Sequence, residues 1–134
     1  MARLSGSLDA NAILRLVLND IPAQHKAVVK LLDKHDGQFA VADVAIIEVV
    51  FVLNRYYNLP RSVVCEAIDG LIGLPQLNCN RALIKKALPL YKKHPKLSFE
   101  DCCLAVYADL NDASPLFTFD QKLAKQVDVV KLIS

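Results

Sequence analysis

No apolar run in these 134 residues reaches the length of a membrane span, which takes roughly 18 uninterrupted apolar residues. The opening Met-Ala-Arg-Leu-Ser-Gly-Ser-Leu lacks the apolar core of a secretory signal. Cysteine occurs at Cys65, Cys79, Cys102 and Cys103, but never as C-x-x-C. Neither a disulfide frame nor a zinc site is expected, and the four read as small buried hydrophobes in a reducing compartment. These absences predict a cytoplasmic protein with no membrane partner. Glycine is scarce, at 4 residues, and no low-complexity tract occurs, so a compact soluble chain is expected. A formal net charge of +2 is too small to argue attraction to nucleic acid by itself.

Apolar residues are plentiful. They make up 54% of the chain, above the common range of about 45–50%, and the surplus is expected to line an oligomer or partner interface. The length suits a single domain over residues 1–134. Short strand candidates at 3–8, 39–42, 77–79, 116–119 and 127–133 alternate with helical runs. The helices are expected at 11–18, 22–35, 43–57, 60 to about 72, 81–93, 98–110 and 120–125, with Pro89 kinking or shortening the fifth. This alternation predicts a three-layer α/β/α domain with a mainly parallel central sheet.

Four acids stand out against that frame. Glu48 lies inside Val44–Leu53, a run apolar on every helical face, so most of the run is expected to be buried. A buried carboxylate without a partner is costly enough that it pairs, binds metal or becomes neutral. Asp9, Asp101 and Asp120 each fall at a junction between elements. Ligands of parallel α/β sheets collect beyond the carboxyl ends of the strands, where these four would converge. Such a nest repels itself without a cation, and Mg²⁺ or Mn²⁺ suits oxygen ligands. The implied chemistry is metal-assisted work on phosphate.

Each acid has a plainer reading beside this one. Asp9 and Asp120 could cap the helices that follow them, and Asp101 could be the acidic partner of a Ser98 capping box. Glu48 could ride an exposed helix edge, and Asp43 reads mainly as a cap. Basic charge gathers at Arg81, Lys85, Lys86, Lys92, Lys93 and Lys96, as a solvated helix face or a phosphate contact. His25, His35 and His94 lie away from the acids and are assigned surface roles.

The segments Ser7-Leu-Asp9-Ala-Asn11, Ile47-Glu48-Val-Val, Phe99-Glu-Asp101-Cys-Cys-Leu-Ala105 and Phe117-Thr118-Phe-Asp120 follow one another in a recognisable order. In that order and spacing the chain resembles PIN-domain nucleases over nearly its whole length, and among them the small VapC-type toxins of toxin–antitoxin pairs. The resemblance implies a three-layer PIN-like fold and a Mg²⁺- or Mn²⁺-dependent endoribonuclease. It matches Asp9, Glu48, Asp101 and Asp120 to the acidic metal-binding and catalytic quartet, with Asn11 and Thr118 in support. Two positions depart from the family pattern: Ala10 stands where Thr or Ser is common, and Asp43 where many relatives carry Ser or Thr.

On that reading Arg15, Arg81, Lys85 and Lys86 are the candidate contacts to the RNA backbone. The likeness also implies a homodimer and a cognate antitoxin crossing the acidic groove, for which Ile13, Leu14, Val17 and Leu18 are available unless they are core. Two alternatives share the scaffold: an inactive PIN-like RNA- or protein-binding module, and a non-toxic RNA-processing nuclease.

Overall fold

Parallel strand pairing recurs in each part of the chain, with helices between the paired strands. A computed structural model describes residues 3–134, which cluster into two compact units, one ending at Asn80 and one spanning Arg81–Ser134.

The first unit runs β1 (Leu4–Ser7), α1 (Ala10–Val17), α2 (Pro22–Lys34), β2 (Gln38–Ala40), α3 (Asp43–Arg55), α4 (Arg61–Ile72) and β3 (Leu77–Asn78). Its sheet has the order β1-β2-β3 with both pairings parallel, Ser7 opposite Ala40 and Phe39 opposite Leu77. Parallel neighbours need a crossover, and the helices between the strands supply it. Gly37 makes the β1–β2 approach possible. A Cβ there would lie 2.6 Å from the Arg3 carbonyl oxygen, which accepts a 2.7 Å bond from the Gln38 N–H. Any side chain at 37 would push the two segments apart.

Pro22 opens α2, where its missing N–H is no loss. On α1, Ile13 and Leu14 are buried core, while Val17 and Leu18 are half-buried. Helix α3 departs from expectation. Its run was expected to be covered on most sides, yet only Ile46, Val49, Val50 and Leu53 form the buried seam. The opposite seam, at the same helical spacing, is Val44, Glu48, Phe51 and Arg55, all exposed. Val44 is 75% and Phe51 53% exposed, with the Arg55 guanidinium 6.0 Å from the Phe51 ring centre. With one seam buried, the apolar content of the run all round leaves Val44 and Phe51 exposed beside the charged Glu48 and Arg55. Asp43 does not cap this helix. Ala42 holds that position without a side-chain bond, and Asp43 is the first helical residue, where its charge complements the helix N-terminus.

The second unit runs α5 (Arg81–Lys93), α6 (Phe99–Leu110), β4 (Leu116–Thr118), α7 (Gln121–Gln126) and β5 (Val130–Leu132). β4 and β5 pair in parallel, Thr118 opposite Leu132. α5 buries Leu83, Ile84, Ala87, Leu88 and Tyr91, and Tyr91 meets Phe99 of α6 edge to face at 5.5 Å. Pro89 does not shorten α5, which continues to Lys93. It lies on the exposed side, as does Lys85, whose carbonyl loses its helical donor to proline but faces water. Cys102 and Cys103 are buried on α6, and Cys65 and Cys79 are half-buried thiols. Among the described residues, no helix is long and apolar enough to cross a membrane.

Candidate active site

β1 delivers Asp9 to its carboxyl end. The Leu8 N–H bonds the Ala40 carbonyl at 2.9 Å, holding the strand in register to its last residue. Asp9 then takes an extended conformation and caps α1, Oδ1 accepting from the Ala12 N–H at 2.8 Å. The capping reading is therefore correct, but it occupies one carboxylate oxygen and fixes the direction of the other. Asp9, Asn11, Arg15 and Glu48 line one open cleft of about 560 Å³, together with Val52, Tyr56 and Tyr57. Glu48 reaches it from the exposed seam of α3 and is not the desolvated carboxylate that its apolar neighbours imply. Among the described residues neither Asp9 nor Glu48 forms an ion pair.

Arg15 is held elsewhere in the same cleft. Its Nη1 is 3.2 Å from each Asp20 carboxylate oxygen and its Nη2 donates to the Tyr57 hydroxyl at 3.3 Å. The Tyr57 hydroxyl in turn donates to Asp20 Oδ2 at 2.8 Å. The Arg15 Nε is buried with no hydrogen-bond partner. The Tyr57 hydrogen bond, aided by the Arg15 charge and opposed by partial desolvation, holds the Asp20 carboxyl below the usual carboxylate range. Tyr57 first, then Asp20, raises the Arg15 guanidinium further above its ordinary value. Since the folded Asp20 value is depressed, its stabilising contribution is present above the unfolded value of about 3.9. That contribution is lost as pH falls through the folded value. Melting followed below pH 4 should show a steeper acid loss for the natural chain than for Asp20→Asn; equal slopes would remove Asp20 from the account.

In the second unit, Ser98 Oγ accepts from the Asp101 N–H at 3.0 Å, the N-cap half of a capping box, and Asp101 is half-buried in the first turn of α6. Asp120 follows β4 and caps α7, Oδ1 accepting from Lys122 N–H at 2.9 Å and Leu123 N–H at 3.2 Å. Thr118 Oγ1 accepts from the Asp120 N–H at 3.0 Å and so fixes the turn that presents the carboxylate. Lys85 and Lys86 are exposed on α5, while Arg81 is half-buried. His35 is exposed as expected, but the other two histidines are less superficial. The His25 ring bonds the Arg15 carbonyl and the His94 ring the Gln126 side chain, both at 3.0 Å and both half-buried. Neither adjoins an acid of the quartet in sequence.

Residues 7–129 match the family model of the PIN domain. The chain belongs to the PIN-domain family. Membership carries the three-layer α/β/α fold class with parallel strands, and it supports nuclease (hydrolase) activity in general. A search of curated proteins returns no match. Within either unit, no three His, Cys, Asp or Glu side chains gather to hold a metal, among the described residues. The donor chemistry of the first-unit cleft nonetheless fits a hard divalent cation. Two carboxylates and the Asn11 side chain line it, and among the described residues neither acid forms an ion pair, the Arg15 guanidinium of the same lining being paired with Asp20. Tyr57, which lines this PIN-domain cleft, and Asp20, which bonds Tyr57 and Arg15 there, are the residues that sequence reading overlooked. Asp20 reads only as a helix break after α1, and Tyr57 is 42 residues from Arg15, with no local pattern to link them.

Proposed function

We propose that this PIN-domain chain is a Mg²⁺- or Mn²⁺-dependent endoribonuclease, a cytoplasmic homodimeric toxin restrained by a cognate antitoxin. The two units act together as one domain over residues 1–134, a reading supported by the family match, which runs from the first unit into the second. The observation that carries the metal assignment is the cleft shared by Asp9, Asn11 and Glu48, whose acids form no ion pair among the described residues.

Asp9 and Asp101 are the leading direct ligands, with Glu48 and Asp120 binding directly or through water. A bound divalent ion supplies Lewis acidity, which polarises a phosphodiester and makes water a usable nucleophile at neutral pH. The chain's own contribution is placement. The Ala12 N–H orients Asp9, the α7 amides and Thr118 orient Asp120, and the α6 N-terminus favours the Asp101 charge. Asn11 orients the neighbouring carboxylate or a phosphate oxygen. Lys85 and Lys86, exposed and on one face, contact the RNA backbone with Arg81, while Arg15 adds positive field at the cleft wall.

Metal removal tests this reading. Purified chain should cut single-stranded RNA internally in Mg²⁺ or Mn²⁺ and stop when chelator is added, regaining activity on metal addition. Cleavage at an unchanged rate in excess chelator would overturn it.

A further inference from the structure

Arg15 shares the 560 Å³ cleft with Asp9 and Glu48, and it shares a second cleft of about 290 Å³ with Asp9 and Asn11. A guanidinium on a long flexible side chain, beside two carboxylates that lack a counter-charge, has an obvious alternative partner. Bidentate pairing of arginine with a carboxylate is among the stronger polar contacts available to a protein. Yet its terminal nitrogens are taken by Asp20 and Tyr57, and these two also bond each other. With Nε left unpartnered, nothing else among its hydrogen bonds fixes the head group.

We propose that Asp20 and Tyr57 are positioning residues that hold the Arg15 guanidinium away from Asp9 and Glu48, keeping that acidic pair open to a divalent cation. The proposal rests on the metal reading above. Asp20 supplies the charge that satisfies Arg15, and the Tyr57 hydroxyl sets its direction, accepting from Nη2 while donating to Asp20. Loss of both frees Arg15 to pair with Asp9 or Glu48 and compete with the cation. Asp20 follows the end of α1 and Tyr57 the end of α3, so the tether also joins the two helices that bear Asp9's cap and Glu48. A purely structural tie between those helices predicts the same loss of stability, but not the dependence on Arg15 described next.

Mn²⁺ is titrated against the full chain, reading both the melting-temperature shift and the heat of binding, with no RNA present. Asp20→Asn with Tyr57→Phe should weaken Mn²⁺ binding about fivefold, the worth of one competing ion pair of about 1 kcal/mol. Adding Arg15→Met to that pair should restore the natural affinity, because the competitor is gone. Tyr57→Phe alone removes one hydroxyl, and supplies an intermediate loss if the double variant does not fold. Unchanged Mn²⁺ affinity in the Tyr57 and double variants, beside normal binding by the natural chain, overturns the tether alone. A loss that Arg15→Met does not repair makes Asp20 and Tyr57 structural and also overturns it. A natural chain that binds no Mn²⁺ overturns the metal reading, and the tether with it.

Discussion

Asn in place of Asp9, or of Asp101, should reduce RNA cleavage at least about a hundredfold, since even groups one layer outside metal ligands are worth about 10–100-fold. The fold should survive. Asp9 already has a structural task, the 2.8 Å bond from the Ala12 N–H, and Asn performs that task equally well. What Asn cannot supply is the negative charge of the second oxygen, which no internal partner uses. Asp101 lies in the first turn of α6, where losing its charge costs about 0.3–1 kcal/mol of dipole interaction. That is too little to unfold a domain of ordinary stability. Cleavage rate and melting temperature measured on both variants separate the two roles. A full metal-dependent rate in both, with the fold intact, would remove these acids from the active site.

Element order and type were legible because the apolar spacing is regular where it matters. The seam Ile46, Val49, Val50 and Leu53 marks α3, Pro22 marks the start of α2, and Ser98 marks that of α6. The acids were legible as junction residues because strand ends in parallel sheets are also helix starts. Capping and ligation draw on the same residue type there, and Asp9 and Asp120 do cap. The sidedness of α3 was not legible. A run that is apolar all round carries no mark of which side its neighbours cover, so Glu48 read as buried although it is exposed. Asp43 misled in the same way, one position late for the cap that its type prefers. The Arg15–Asp20–Tyr57 network joins residues 42 positions apart through a tertiary contact. No periodicity reports such a contact.

Expression of the natural chain alone should arrest growth of its host, and Asp101→Asn should relieve the arrest at equal protein level. Val44, Phe51 and Tyr56 are 75%, 53% and 74% exposed, and Tyr56 lines the cleft that Glu48 enters. Exposed apolar side chains grouped beside a cleft, as Phe51 and Tyr56 are in edge-to-face contact, suit a partner site. A restraining protein seated there would cover these side chains and occlude Asp9 and Glu48 at once. Without it the cleft is open to cellular RNA, and damage accumulates with each molecule made. Growth curves and colony counts after induction, with blotting to equalise protein, decide the matter. The toxin reading expects a short antitoxin reading frame beside the gene, and its co-expression should restore growth to the natural chain while leaving its amount unchanged. Healthy growth with abundant chain that cuts RNA in vitro would make this a non-toxic RNA-processing nuclease, with its chemistry intact and its antitoxin struck out. Arrest that persists in Asp101→Asn would trace the toxicity to something other than cleavage, such as sequestration through these exposed apolar side chains.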